Sequence, residues 1–146
     1  MSTLVAIIHA GLTAAWVGGM AYSLFVVQPK LKKFFGLDED SREALTAVIA
    51  SGNRWKVLGL IAVIAITGLI LLLLDDHHWW IHAVKAVLLL TATAIFWYVS
   101  WRHWPRRVFA TSTERPTLQR QLRILATVML ALAGLAFALG IAATQS

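Results

Sequence analysis

Apolar residues fill four long stretches of the chain, and charged and polar residues gather between them. Within each stretch leucine, isoleucine, valine and alanine follow one another with neither the alternation of a half-buried strand nor the single apolar stripe of a surface helix. Apolar runs of about 20 residues are typical of helices that cross a membrane. The pattern predicts four membrane-spanning helices, at about residues 3–27, 55–74, 79–101 and 122–143.

The composition supports the same interpretation. Of 146 residues, 59% are hydrophobic and 14% are charged, and the mean hydropathy is +0.72, which is far from the values of soluble domains. Four spans with their connections use nearly the whole chain, so we expect one transmembrane domain over residues 1–146, folded as an all-α four-helix bundle. No basic segment or small-residue cleavage site marks the first span, which predicts a retained helix and not a cleaved signal peptide.

Polar and aromatic residues mark the ends of the predicted spans. Pro29 predicts the end of the first helix, and the mixed charges after it predict a short amphipathic helix on the membrane surface at about 38–51. Aromatic rings favour the headgroup region of a membrane. A cluster of them late in the third span therefore predicts a membrane boundary there: Phe96, Trp97, Tyr98 and Trp101.

The basic residues predict the orientation. Twelve of the thirteen lysines and arginines fall in the connections that follow the first and third spans or within two residues of the start of the next span, and the remaining one is Lys85. By the positive-inside rule these connections are cytoplasmic, which leaves both termini and the turn at 75–78 extracytoplasmic. We therefore expect an integral protein of a bacterial inner (cytoplasmic) membrane. The net charge of +6 reflects this orientation and does not indicate a nucleic-acid partner.

Two of the five histidines are predicted to lie at similar depth in the membrane. His9 stands about six residues inside the first span and His82 about four residues inside the third, both counted from the extracytoplasmic end. At a rise of about 1.5 Å per residue, both imidazoles lie roughly 5 to 9 Å below the boundary. Two imidazoles at one level on different helices can be the axial ligands of a haem b. The alternative is that each is bonded to a neighbouring side chain or carbonyl inside the bundle.

Lys85 and Trp16 extend this candidate site. Lys85 follows His82 by three residues and so shares its helix face. A lysine this deep in the membrane is expected to pair with an anion such as a haem propionate, to act as an iron ligand, or to face a polar cavity. Trp16 follows His9 by seven residues and lies on the same stripe, where it can pack against a porphyrin face. The alternative for Trp16 is ordinary packing between helices.

A metal site without porphyrin is the second hypothesis. His78 and His82 have the i, i+4 spacing that lets two imidazoles share one metal ion. With His9, Asp75 and Asp76 near the same end, a copper or zinc site on the extracytoplasmic side is chemically reasonable. The chain contains no cysteine, which excludes disulfides, thiolate metal sites and cysteine nucleophiles.

Two segments carry a resemblance to known membrane proteins. The first helix of copper-resistance protein D (CopD)-like membrane domains resembles HAGLTAAWVGG at His9–Gly19 with the following FVVQPKL. The tryptophan-leucine-histidine-x-x-lysine signature of HemJ-type four-helix membrane proteins is similar to WWIHAVK at Trp79–Lys85. Their second helix also resembles NRWKVLGL, with Thr67 and Gly68 further on. The likeness extends over nearly the whole chain, and its specific residues are in the first and third helices.

The resemblance implies a haem b held near His9, with His82 and Lys85 at the matching functional positions. It also implies either protoporphyrinogen IX oxidation or a copper-linked role. We therefore predict a haem-binding membrane protein that acts in electron transfer or small-molecule redox, with haem-dependent oxidoreductase as the enzyme class to test. The alternatives are a CopD-like copper-binding or transport protein and a structural subunit of a membrane complex. Besides lipid, the candidate partners are a quinone, a porphyrin, another redox protein and a second copy of the chain.

Overall fold

The computed structural model describes residues 2–74 and 79–143, and within these ranges the chain forms four long helices and no strand. Helix α1 comprises Ser2–Tyr22, a π-helical turn Ser23–Val27 and Gln28–Phe35, and helix α2 is Glu39–Leu74. Helix α3 comprises Trp79–Tyr98, a second π-helical turn Val99–His103 and Trp104–Val108, and helix α4 is Arg115–Ala143. This architecture confirms the predicted all-α four-helix bundle.

The four helices pack in a fixed order around the bundle. Helix α1 lies against α2 and α4, and α3 packs most extensively against α4, whereas α2 and α3 make little contact with each other. Helices α1 and α3 are therefore diagonal. Side chains from all four helices form the buried core, which consists of Trp16, Ile61, Ile64, Ala92, Met129 and Ala133.

Each of the four helices is long and apolar enough to cross a membrane, which makes this an integral membrane protein. The 20 residues of Trp79–Tyr98 rise about 30 Å, close to the thickness of the hydrocarbon core. Helix α2 has 36 residues and is about 54 Å long, so roughly 20 Å of it must extend past that core. The extension is polar and begins at Glu39, at the end of the bundle where the basic residues gather.

Two of the three prolines lie in helix interiors, and each is the second residue after a π-helical turn. Pro29 comes after the turn Ser23–Val27, and Pro105 comes after the turn Val99–His103. A proline ring lacks the N–H of the helical ladder and clashes with the carbonyl four residues before it. Widening the preceding turn relieves that clash without ending the helix. The prediction that the first helix stops near Pro29 is therefore wrong, because α1 continues to Phe35.

The connection between α1 and α2 is much shorter than the sequence suggested. Gly36 ends α1 at a φ of 55°, a backbone conformation that suits glycine, and its N–H bonds to the carbonyl of Lys32. Asp38 then begins α2 by accepting a hydrogen bond from the Ser41 N–H at 3.1 Å. The predicted surface helix at 38–51 is not separate, since it is the first part of α2. Helix α4 likewise starts at Arg115 and not near residue 122.

Two exposed carboxylates stabilise these connections. Hydrogen bonds from the hydroxyl and the N–H of Ser41 lower the pKa of Asp38. Hydrogen bonds from the N–H and the hydroxyl of Thr111 lower the pKa of Glu114. Lowered pKa values mean that folding favours the ionised forms, so both contributions to stability are present above the ordinary carboxyl pKa and are lost as the pH falls through the lowered values.

Ion pairs join the helices at the basic end of the bundle. The Glu43 carboxylate on α2 accepts hydrogen bonds from Arg107 of α3 at 2.6 Å and from Gln119 of α4 at 2.9 Å. A second pair, Arg115 to Asp40, joins α4 to α2 further out. The first pair is largely buried and the second is exposed on its carboxylate side. Glu43 thus fixes three helices relative to one another.

Candidate functional site

A cavity of about 300 Å³ lies between the four helices, near the end of the bundle where α1 and α3 begin. That volume is at the lower end of the range of small-molecule sites. Alanine, glycine, leucine and isoleucine form most of its wall. The polar side chains among its lining residues are His9, Thr13, His82 and Lys85. The wall is therefore apolar apart from two imidazoles, one hydroxyl and one ammonium group.

The structure brings His9, His82 and Lys85 to this one cavity. His9 comes from α1 and His82 from α3, which are diagonal helices, so the two imidazoles reach the cavity from different sides of the bundle. All three side chains are partly buried. The arrangement has two nitrogen donors on separate helices and a cation one helical turn from the second donor.

Helices α1 and α2 approach closely around the imidazole of His9. Its Nδ1 lies 2.8 Å from the Thr67 hydroxyl of α2. Gly68 follows Thr67, and a methyl group at that position would stand 3.1 Å from His9 Cε1. Within α1, the hydroxyl of Thr13 donates a hydrogen bond to the carbonyl of His9 at 2.8 Å. The ring is thus held by a hydrogen bond on one side and by the glycine backbone next to it.

We expect Gly68→Ala to displace the His9 imidazole. The new methyl group would lie about 0.3 Å closer to His9 Cε1 than an ordinary van der Waals contact. The imidazole has little freedom to move away, because it is hydrogen-bonded to the adjacent Thr67. Overpacking of this kind costs about 1 to 3 kcal/mol. Unfolding in detergent, followed by circular dichroism, measures the loss of stability.

Gly59→Ala is the matched control, because it lies on the same helix and nothing lies within 4 Å of its added methyl group. Alanine there should stabilise the helix by up to about 1 kcal/mol. If both variants change the free energy of unfolding equally, the close approach of Gly68 to His9 is not the cause.

Lys85 lies against the last helix. A methyl group on Gly140 of α4 would be 3.3 Å from Lys85 Nζ and 3.6 Å from its Cε. The ammonium group therefore stands beside the α4 backbone at the cavity wall. A cation held among apolar residues at this depth is costly unless it has an anionic or polar partner, which makes Lys85 a candidate functional residue.

Trp16 was predicted to contact the cofactor, but the structure does not bring it to the cavity. It is 4% exposed and packs in the core with Ile61, Ile64 and Met129. The reason is depth: seven residues of helix separate Trp16 from His9, which is about 10 Å along the axis. The side chain lies on the expected stripe but beneath the cavity, and Thr13 takes the intermediate position at the wall.

His103 lies at the opposite, basic end of the bundle. It is 2% exposed, and neither ring nitrogen has a hydrogen-bond partner within the parts of the chain that the structure covers. The rings of Tyr98 and His103 lie 6.5 Å apart between centroids. His103 does not line the cavity, so it is a buried histidine separate from the pair formed by His9 and His82.

The cavity wall is loosely packed between α2 and α3. Leu69 of α2 and Leu90 of α3 both line the cavity, yet they are 56% and 68% exposed. These two helices also make the fewest contacts of any neighbouring pair in the bundle. From this loose packing and exposure we infer a side opening between them, through which the apolar cavity is accessible from the lipid that surrounds the helices.

The copper hypothesis depends partly on His78, Asp75 and Asp76, which lie outside the described residues. Within 2–74 and 79–143, no three histidine, aspartate or glutamate side chains come together in a way that could hold a metal ion. The comparisons with protein-family models, curated proteins and solved structures gave no match to this chain. The assignment of function therefore depends on the chemistry of the cavity itself.

Sequence reasoning missed the residues of α2 and α4 that complete the cavity. Thr67 and Gly68 were visible as a polar and small pair in the apolar second span, which also contains Gly59, and that pair was the available signal. Gly140 gave no such signal, because glycine is common in membrane helices. Its place beside Lys85 follows only from the packing of α3 against α4.

Proposed function

We propose that this chain is a haem b-binding membrane protein that acts in electron transfer or in redox chemistry on a small molecule. The observation that carries the proposal is the presence of His9 and His82, from diagonal helices, in the wall of one apolar cavity. Bundles of this kind hold cofactors with side chains that project inward from facing helices.

The residues around the cavity suit a porphyrin chemically. His9 and His82 would supply two nitrogen ligands for the iron, and the other wall residues include small ones that would allow a flat ring to approach: Ala6, Ala10, Ala65, Gly68, Ala86, Ala136 and Gly140. Lys85 is a cation that would hold a propionate. Leucine and isoleucine side chains keep water away, which favours binding of an apolar macrocycle.

When bound, the haem supplies an iron that can accept or give one electron. The chain's own residues set the ligation, the charge balance and the access to the site. The side opening between α2 and α3 supports a partner that dissolves in the membrane, such as a quinone or a porphyrin. The resemblance to HemJ-type proteins makes protoporphyrinogen IX oxidation the first enzymatic activity to test. The basic end of the bundle supports an orientation with both termini outside, and the membrane we propose is a bacterial cytoplasmic membrane.

The test is a visible spectrum of detergent-purified protein, recorded oxidised and reduced, together with metal and porphyrin analysis. We expect a Soret band, reduced bands of a b-type haem and one iron per chain. Stoichiometric copper without porphyrin would replace this proposal with the CopD-like alternative. Protein that contains neither would favour a structural subunit in which the histidines only pack.

We expect Lys85→Met to weaken haemin binding by about tenfold or more. Methionine keeps the length and apolar character of the side chain but removes the charge, so a propionate would lose its cationic partner in a region of low dielectric constant. A tenfold change corresponds to about 1.4 kcal/mol. Titration of haemin into apoprotein measures the effect.

Lys56→Met is the control, since Lys56 is exposed on α2 towards the basic end and away from the cavity. Equal affinities for the wild type and Lys85→Met would show that Lys85 does not neutralise the porphyrin.

A further inference from the structure

The hydroxyl of Thr67 has three close polar neighbours. It lies 2.8 Å from the carbonyl of Val63 and 3.1 Å from the carbonyl of Ile64, both within its own helix. It also lies 2.8 Å from Nδ1 of His9, across the interface between α1 and α2. Two of these neighbours accept hydrogen bonds only, whereas an imidazole nitrogen can donate or accept.

Counting protons decides the direction of each bond. A threonine hydroxyl has a single proton, and two oxygen atoms 2.8 Å apart repel each other unless a proton lies between them. The Thr67 proton is therefore donated to the backbone carbonyls. Its oxygen is left as an acceptor, so the short contact with His9 requires the proton to be on Nδ1.

A neutral imidazole with its proton on Nδ1 carries its lone pair on Nε2. Since Nδ1 is turned to Thr67, Nε2 is the ring nitrogen left for the cavity that His9 lines. We infer that Thr67 is a positioning residue: it holds His9 as the Nδ1-protonated tautomer and so presents Nε2 as a ligand atom. Its importance for iron ligation rests on the function proposed above, whereas its effect on the tautomer does not.

The hydrogen bond also tunes the donor strength of the imidazole. Donation from Nδ1–H to an oxygen makes the ring more basic at Nε2, and loss of such a partner typically weakens metal binding by about 10- to 100-fold. Thr67 would thereby stabilise the oxidised iron relative to the reduced iron, because a more basic ligand favours the higher charge.

The tautomer is measured first, without any haem. Apoprotein labelled with ¹⁵N-histidine is studied in detergent at a pH well above the ordinary histidine pKa of about 6.5, where two-bond ¹⁵N–¹H couplings distinguish the two neutral forms. The His9→Gln variant identifies the His9 signals. We expect the wild type to contain the Nδ1–H form of His9, Thr67→Val to lose that preference, and Thr67→Ser to restore it.

Thr91→Val is the matched control. Thr91 donates the same kind of bond, to the carbonyl of Val87 at 2.8 Å, but it is exposed and does not line the cavity. This variant should leave the His9 signals unchanged. An Nε2–H tautomer in the wild type, or a Thr67→Val spectrum identical to that of the wild type, would overturn the inference whether or not the protein binds haem.

The haem-loaded protein gives the second readout. We expect Thr67→Val to bind haemin at least about tenfold more weakly and to have a higher midpoint potential, with both values restored in Thr67→Ser. Unchanged affinity and potential in Thr67→Val would contradict the role of Thr67 in ligation. A wild-type protein with no Soret band would instead refute the haem function, and the apoprotein spectra would still decide the tautomer.

Discussion

Replacing either His9 or His82 by glutamine is expected to abolish the Soret band of the purified protein. In the proposed haem site each imidazole would supply one nitrogen ligand from its own helix, and glutamine keeps a polar side chain of similar size without an imidazole nitrogen. Loss of the hydrogen-bond partner of a metal-binding residue already lowers metal affinity by about 10- to 100-fold. Loss of the metal-binding residue itself should therefore lower haemin affinity by more than about 100-fold. Haemin titration of the apoproteins and the bands of the purified variants measure the effect.

His103→Gln provides the comparison, because it removes a buried imidazole at the opposite end of the bundle. Far-ultraviolet circular dichroism should show the same helix content in all three variants. If His103→Gln loses the bands while His9→Gln keeps them, the cavity is not the haem site. Retention of the bands in both cavity variants would lead to the same conclusion.

Glu43→Gln is expected to destabilise the bundle by about 3 kcal/mol. The Arg107 side chain is 9% exposed and the Glu43 side chain 19%, so the substitution leaves a largely buried guanidinium without its counter-charge. Breaking a buried pair by removing one partner costs about 3 to 5 kcal/mol, and the partial exposure of Glu43 favours the lower value. Denaturation in detergent, followed by circular dichroism, gives the free energy of unfolding.

Two further variants test this explanation. Asp40→Asn breaks the neighbouring pair with Arg115, in which Asp40 is 85% exposed, and should cost less than about 1 kcal/mol. The double variant Glu43→Leu with Arg107→Leu should recover much of the loss, because no charge is left unpaired. A double variant less stable than Glu43→Gln would mean that the ion pair itself contributes net stability.

The number of helices and their membrane character could be predicted from hydropathy, whereas their lengths could not. Hydropathy detects only the part of a helix inside the hydrocarbon, so the polar first part of α2 resembled a separate surface helix. The residues that indicate one long α2 were nevertheless present in the sequence. Gly36 is a typical residue to end α1, and Asp38 is a typical residue to begin a new helix directly after it. Continuation past Pro29 was harder to foresee, because a π-helical turn that accommodates proline has no distinct residue pattern.

Depth in the membrane predicted that His9 and His82 lie near each other, and their role in a cofactor site stays a prediction. His9, His82 and Lys85 share a cavity because residues at one level, on the inner faces of different helices, meet in the middle of a bundle. Trp16 was misplaced because a shared stripe fixes direction around the axis but not distance along it. The contacts of Thr67 with His9 and of Gly140 with Lys85 depend on which helices are neighbours. That order is set by packing between segments of similar apolar composition, which the sequence does not distinguish.

The side opening inferred beside Leu69 and Leu90 determines how ligand binding must be measured. A compound that arrives through it does so by lateral diffusion in two dimensions, after partitioning out of water. Occupancy then depends on the number of ligand molecules per lipid or detergent molecule. Diluting a sample with buffer alone would leave that ratio, and hence the bound fraction, nearly constant, whereas adding empty vesicles would remove ligand from the protein.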